Sequence, residues 1–285
     1  MYSSSQILNI KNKYILIDCP EGIQFQLKNF RIKFSKIEFI LVSHAHGDHY
    51  FGLIGLISTY SLLRRKNKLT VFCPKAVLEI LNAQIKISSM FLSYELEIIE
   101  LNSKESEKIY ESSDFSISTI PLNHSIYSNG FLFQEKNNKR KLNLNLAQKL
   151  NINKVYFNKL TKGENVFNDN GEEINFKVVT SKGKKNKSYA YCSDTTFFPS
   201  IIEKINHVDL LYHESTFLEK DREKAKLTMH STAMDAAKIA RDARVNKLII
   251  GHFSSRYENL DLFISEVKQI FQNVELAFDG KDIDI

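Results

Sequence analysis

Cysteine is scarce. The chain holds three in 285 residues, Cys19, Cys73 and Cys192, odd in number, widely separated and without CxxC spacing. That argues against a disulfide framework and against a cysteine-built zinc knot, and leaves three buried thiols as the expectation. Long apolar runs are missing too: no stretch approaches the ~18–20 residues a membrane span needs. The opening Met1-Tyr2-Ser3-Ser4-Ser5-Gln6 has neither a basic nor an apolar leader region. A soluble, cytoplasmic protein with no membrane partner is the expectation. Internal repeats and long low-complexity tracts are likewise absent.

What is present can fill a sizeable core, since 43% of residues are hydrophobic. A net charge of +6 and a pI near 9.0 favour a polyanionic partner, although the excess of Lys over Arg, with abundant Asn and Ile, is also what an AT-biased genome produces. Two basic clusters stand out, Lys136, Lys139, Arg140 and Lys141, then Lys182, Lys184, Lys185 and Lys187. Each reads as a solvated loop or as a binding patch.

Short β-branched and aromatic runs at 14–18, 39–43, 69–72, 96–101, 115–120, 131–134, 176–180, 188–193, 208–213 and 247–251 predict strands. Helical patterns fall at 52–64, 75–84, 200–205, 232–243 and 257–271, the fourth with Ala233, Ala236, Ala237 and Ala240 on one face. The mixture predicts an α/β sandwich, with helices covering two packed sheets. Residues 140–171 are polar and rich in Asn and Lys, with an Asp169-Asn170-Gly171 turn signal. They interrupt strands that otherwise belong to one core and read as an inserted, projecting arm within a single domain spanning 1–285.

The most informative segment is Ser43-His44-Ala45-His46-Gly47-Asp48-His49, after the apolar run Phe39-Ile40-Leu41-Val42 and before a helix. Three imidazoles and a carboxylate within six positions are costly in a core unless something coordinates them, and a metal does. In extended backbone His44 and His46 point the same way toward one ion; a turn at Gly47 lets Asp48 and His49 face another. A dinuclear site needs further ligands. Of the eight histidines in the chain, His124 follows a predicted strand and His252 ends one; Asp194 ends another. Taken singly, each of the three also fits an ordinary loop or capping role.

His44-Ala45-His46-Gly47-Asp48-His49 followed by Phe51-Gly52-Leu53-Ile54-Gly55-Leu56 resembles the ribonuclease Z form of the metallo-β-lactamase motif. Other segments agree in order: Asp18-Cys19-Pro20-Glu21-Gly22-Ile23-Gln24, Cys192-Ser193-Asp194-Thr195, His213-Glu214-Ser215-Thr216-Phe217, His230-Ser231-Thr232, His252-Phe253-Ser254-Ser255-Arg256-Tyr257 and Asp279-Gly280. The resemblance spans almost the whole chain. HxHxDH is shared with lactamases, glyoxalases and sulfatases, whereas the later segments are more specific to ribonuclease Z.

The resemblance implies an αββα sandwich of two mixed sheets flanked by helices, and a zinc-dependent endoribonuclease that removes the 3′ trailer of precursor tRNA to leave a 3′-hydroxyl. It implies two Zn²⁺ per chain: His44, His46 and His124 on one, Asp48, His49 and His252 on the other, and Asp194 bridging. Asp48 takes the role of proton acceptor. His230 would contact the scissile phosphate or protonate the leaving oxygen, against a bland reading as a neighbour of the helix cap at Ser231 or Thr232. Glu214 would orient His230 or a ligand, and His213 is a weaker candidate for the same task. His207, outside every motif, reads as an ordinary surface histidine.

The family also carries a flexible arm that grips the tRNA elbow; here it would be 140–171, with Lys154, Lys159 and Lys162 facing phosphates. The usual Gly-Pro pair is absent around Ile152-Asn153-Lys154-Val155-Tyr156. Pro20, Arg64 and Cys73 stand where the family commonly has glycine, and the chain begins at what corresponds to the family's second strand. A homodimer is implied, one subunit's arm presenting RNA to the other's site. Two alternatives compete: another metallo-β-lactamase-fold hydrolase of small phosphodiesters, sulfate esters or thioesters, and an RNA-binding relic with decayed chemistry. The first leaves the basic arm and the HST and HxSSRY segments unexplained, and the complete ligand set argues against the second.

Overall fold

A computed structural model describes residues 3–136 and 139–285. Met1 and Tyr2 of the N-terminal stretch, and Asn137 and Asn138 within the first basic cluster, lie outside the described residues. The chain forms two compact units. One comprises the chain up to Tyr110 with Ile117–Phe133 and Ser188–Ile285; the other comprises Glu111–Ser116 and Gln134–Lys187.

Two sheets organise the first unit. The five-stranded sheet runs Gln6–Ile10, Lys13–Ile17, Ile37–Leu41, Leu69–Pro74, Leu96–Leu101; its first pair is antiparallel and the others parallel. The strand order of the seven-stranded sheet is Val274–Leu276, Lys247–Gly251, Leu210–Glu214, Ser188–Cys192, Asn129–Glu135, Phe115–Pro121, Lys108–Glu111. Its first four strands are parallel. Period-2 alternation explains the layering. Ala190 and Cys192 pack with Leu211, Leu248, Ile250 and the alanine face of the helix Ala233–Asp242. Tyr189 and Tyr191, on the opposite face of the same strand, reach the other sheet through hydrogen bonds to Gln6 and Asp18. On the outer side of the five-stranded sheet, Leu16, Ile40 and Val71 pack with Leu53, Leu56 and Ile57 of the helix Leu53–Leu62 and with Val77 and Leu81 of Lys75–Ile87. Helix, sheet, sheet, helix is the αββα order expected. All three cysteines are buried and free. No helix among the described residues is long and apolar enough to cross a membrane.

Local expectations fail where capping side chains decide the conformation. Residues 176–180, which pattern as a strand, form the helix Phe176–Val179, because Asn175 accepts the Lys177 N–H (2.9 Å) and starts a helical turn. The pattern at 200–205 yields only the 3₁₀ turn Pro199–Ile201. The helix expected at 257–271 is confined to Asp261–Val267, since Tyr257 is held outside it by Asp221 (2.6 Å) and by the Leu218 N–H (3.2 Å). The strands Gln6–Ile10 and Lys108–Glu111 and the helix Ile23–Asn29 go beyond the elements that the sequence pattern predicts.

The second unit has a small core of its own, Ala147, Ile152, Leu160, Val166 and Val179, under the helices Leu144–Lys149 and Phe157–Lys162. Asn143 caps the first of these through the Leu146 N–H (3.1 Å). Lys154, Lys159 and Lys162 are exposed.

Candidate metal centre

Parallel strands put their carboxyl ends on one edge, and open α/β sheets gather functional groups there. Asp18 follows Lys13–Ile17, Ser43 and His44 lie just past Ile37–Leu41, Asp194 follows Ser188–Cys192, Glu214 ends Leu210–Glu214, and His252 follows Lys247–Gly251. Asp18 (φ 58°) and His252 (φ 61°) adopt the left-handed conformation as the chain leaves its strand. For a non-glycine residue this costs about 1–2 kcal/mol, and at Asp18 three hydrogen bonds offset it: its N–H donates to Leu41 O (2.8 Å), its carbonyl accepts from Ser5 Oγ (2.8 Å), and its carboxylate accepts the Ser43 N–H (2.7 Å).

The histidine loop is locked against this turn. Cys19 N donates to His49 O (2.7 Å) and Gly52 N to Cys19 O (3.0 Å). A Cβ on Gly52 would stand 2.0 Å from Pro20 O, so only glycine permits the approach.

Ring hydrogen bonds fix which nitrogen of each histidine faces the centre. His49 Nδ1 lies 2.9 Å from Asp18 Oδ2, so it carries the proton and Nε2 is bare; that atom is buried with no hydrogen-bond partner. Ser43 Oγ donates to Asp18 Oδ2 (3.0 Å) and therefore accepts from His44 Nδ1 (2.9 Å). His124 Nδ1 donates to Met229 O (2.8 Å). Thr216 Oγ1 gives its proton to Glu214 Oε2 (2.8 Å) and accepts from His252 Nδ1 (2.9 Å). Four bare Nε2 atoms thus point at one space.

His46 adds Nδ1, 3.0 Å from His44 Nε2 and 3.3 Å from His124 Nε2. Ligand nitrogens about 2.0–2.1 Å from a tetrahedral zinc stand roughly 3.3 Å apart. Neutral imidazoles facing one another at that spacing lack enough protons to satisfy their lone pairs, and a shared cation supplies what is missing. Ligand atoms of His44, His46, His124 and Asp194 all lie within 4.8 Å of one another, as do those of Asp48, His49 and His252. Asp194 stands between the sets: Oδ1 is 3.3 Å from His252 Nε2 and 3.6 Å from His49 Nε2, and Oδ2 is 3.7 Å from His44 Nε2 and 4.0 Å from His124 Nε2. The residues fit two divalent ions sharing one carboxylate.

The electrostatics are those of a site awaiting positive charge. Burial, then the neighbouring His49, push His44 down to about 2, so it stays neutral and able to act as a ligand. Burial would raise the Asp194 carboxyl, but His252, His49, His44 and His230 around it hold it well below the usual range. Burial would lower His49, and the charge and hydrogen bond of Asp18 more than reverse this, to about 9, so a cation at Nε2 would take the place of a second ring proton there.

His230 stands beside these candidate ligands, its ring nitrogen within 4.8 Å of ligand atoms of Asp194 and His252. Its Nδ1 donates to Glu214 Oε1 (2.9 Å), and its Nε2 is 4.0 Å from Asp194 Oδ2. Burial would lower its pKa, but the hydrogen bond and charge of Glu214 raise it on balance. Glu214 is fully buried and also accepts from the N–H groups of Thr195 (3.2 Å), Ser231 (3.0 Å) and Thr216 (2.9 Å). The helix cap belongs to Thr232, which forms a capping box with Asp235, with His230 two residues ahead of it. His213 points away, its Nδ1 donating to Glu214 O (2.7 Å), and His207 is exposed.

Asp18, Ser43 and Thr216 carry no individual signal in the sequence, yet they orient His49, His44 and His252. Asp18 carries the largest consequence. Asp18→Asn, which can turn its amide N–H₂ toward His49 Nδ1, is expected to weaken metal affinity or activity roughly 10–100-fold, the usual cost of losing a ligand's outer partner. Zinc titration by competition with a chromophoric chelator measures this, and unaltered affinity together with full activity would contradict it.

Known proteins share both the sequence and the fold. The Beta-lactamase superfamily domain model matches residues 13–253. The chain is 39% identical over 276 residues to "Ribonuclease Z" of Bacteroides fragilis (strain YCH46), covering 97% of this chain and 91% of the relative. It is 42% identical over 281 residues to "Ribonuclease Z" of Cytophaga hutchinsonii, covering 98% and 89%. Among solved structures, the short form of human tRNase Z superposes with a TM-score of 0.70 at 23% identity, covering 100% of this chain and 95% of that one. The metallo-beta-lactamase fold protein YhfI from Bacillus subtilis gives 0.67 at 16% identity, covering 98% and 91%. Both superpositions speak to the fold.

Proposed function

The chain belongs to the ribonuclease Z family of metallo-β-lactamase-fold proteins, and from that premise we propose that it is a zinc-dependent endoribonuclease that removes the 3′ trailer of precursor tRNA and leaves a 3′-hydroxyl. The observation that carries the reading is the convergence of His44, His46 and His124 on one side of Asp194, and of Asp48, His49 and His252 on the other. Two zinc ions held there would neutralise phosphate charge and acidify a water for attack on phosphorus.

The chain's own residues do the rest. Asp48, whose side chain is 55% exposed, can reach solvent and accept the water's proton. Glu214, holding the Nδ1–H of His230, raises the ring's affinity for a second proton at Nε2, and His230 presents that Nε2–H to the reacting group and delivers its proton to the leaving 3′ oxygen. Asp194 fixes the spacing of the two ligand sets. Thr216 ties His252 and Glu214 into one chain of hydrogen bonds, so the ligand and the proton donor share a support.

We assign RNA binding outside the centre to the inserted arm at 140–171, with the homodimer of the family as the working assembly. Replacing Lys154, Lys159 and Lys162 by alanine is expected to weaken precursor tRNA binding and to reduce the slope of log K against log salt by roughly 2–3, about one for each phosphate no longer neutralised. Turnover of a small phosphodiester should survive. Equal losses in both assays, or an unchanged salt slope, would remove the exosite role. The functional reading itself is tested by cleavage of a 3′-extended precursor tRNA with the product ends mapped.

A further inference from the structure

Between Phe217 and Thr232 the chain leaves the sheet edge and returns to its starting point. Phe217 and Thr232 form a β-bridge, Phe217 N donates to Ser231 O (3.2 Å), and Ala233 N donates to Phe217 O (2.9 Å). The excursion contains the 3₁₀ turn Glu219–Asp221, the helix Arg222–Thr228, and Met229 in the left-handed conformation (φ 57°). It delivers two groups to the centre, the Met229 carbonyl that accepts from His124 Nδ1 and the ring of His230.

Tyr257 and Glu266 hold its near end, through Asp221 (2.6 Å) and the N–H groups of Leu218 (3.2 Å) and Glu219 (2.9 Å), and Arg222 joins that end to the helix that follows His230. Arg222 Nε and Nη2 donate to the two oxygens of Glu219, both at 2.6 Å. From its other side, Nη2 donates to Asp235 Oδ1 (2.8 Å) and Thr232 Oγ1 (3.2 Å), and Nη1 to Asp235 Oδ2 (3.3 Å). Asp235 is buried, and it and Thr232 are the capping box of the next helix. Arg222 therefore joins the start of the helix before His230 to the start of the helix after it, with the planar two-sided geometry only a guanidinium offers. On a solvent-facing loop such a clamp would matter little to chemistry. Here the segment it closes carries His230.

We propose that Arg222 is a positioning residue for His230, holding the 217–232 excursion so that the imidazole stays aligned between Glu214 and the reacting phosphate. This rests on the functional reading above, in which His230 handles the leaving-group proton. Arg222 touches neither ligand nor substrate; its effect passes wholly through the loop.

A double-mutant cycle separates this from simple stapling of two helices. Cleavage of 3′-extended precursor tRNA and zinc content would be measured for wild type, Arg222→Met, His230→Ala and the double variant. Arg222→Met is expected to lower kcat roughly 10–100-fold, in the range seen for lost outer partners, with KM and zinc content held near the wild-type values. In the His230→Ala background the same substitution should have almost no further effect, and Arg222→Lys should restore part of the loss. An equal fold-loss in both backgrounds, loss of zinc, or full activity of Arg222→Met would overturn the proposal. If Arg222→Met fails to fold, Glu219→Gln, which weakens the fork and the Thr232 Oγ1 contact with Glu219 (2.9 Å) but keeps Arg222 on Asp235, is run through the same cycle and judged by the same coupling. A wild type inactive on precursor tRNA would strike the functional reading and this proposal with it, whereas an active wild type with an uncoupled cycle strikes the proposal alone.

Discussion

His46→Ala and Asp194→Ala are each expected to strip the centre of metal and abolish hydrolysis, where the wild type is expected to carry about two zinc ions per chain. The two substitutions act differently. His46 Nδ1 closes the triangle with His44 and His124, at 3.0 and 3.3 Å, so its loss leaves one ion with too few protein ligands. Asp194 is 3% exposed and faces both ligand sets. Without its negative charge, the imidazoles of His44, His49, His124, His230 and His252 surround no shared anion, and both ions lose a ligand. Elemental analysis beside the activity assay checks the pair, and a fully active, metal-free preparation of either variant would contradict the mechanism whatever the fold.

His230→Ala should leave metal content intact while turnover falls roughly 10²–10⁴-fold, the usual contribution of a positioned acid. The separation is expected because His230 hydrogen-bonds to Glu214 and Thr216, while the nitrogens of His44, His46, His49, His124 and His252 keep their own partners. The variant leaves Glu214 buried with the remaining donors from Thr195, Ser231 and Thr216, enough to hold its place. Turnover at the wild-type rate would return His230 to a structural role.

Legibility from sequence follows the distance over which each residue acts. HxHxDH can be read from its own spacing, since an extended turn and one glycine are enough to aim its side chains. His124, Asp194 and His252 cannot: each sits at the end of a different strand, and only the resemblance to ribonuclease Z ties them to the motif. Asp18 belongs to a segment that shares in this resemblance, but the sequence holds no mark that its carboxylate meets His49, because that pairing depends on the parallel alignment of Lys13–Ile17 with Ile37–Leu41 and on a left-handed turn. Ser43 and Thr216 are small hydroxyls whose meaning appears only once a ring nitrogen faces them. The arm's polar composition is legible, whereas its five-residue core is diluted among Asn and Lys. The strand expected at 176–180 gives way to one side-chain cap at Asn175, a local choice that β-branched content does not reveal.

The central claim is that these residues form a phosphodiester-cleaving centre directed at precursor tRNA, and the product ends test it most directly. Purified protein with zinc would be incubated with a precursor tRNA bearing a 3′ trailer, with a chelator-treated sample in parallel, and the new termini identified. The account predicts a single endonucleolytic cut at the base of the trailer, a tRNA ending in a 3′-hydroxyl, and a reaction lost on chelation and restored by zinc. An intact precursor, or cleavage that proceeds equally well in the metal-free sample, would contradict it.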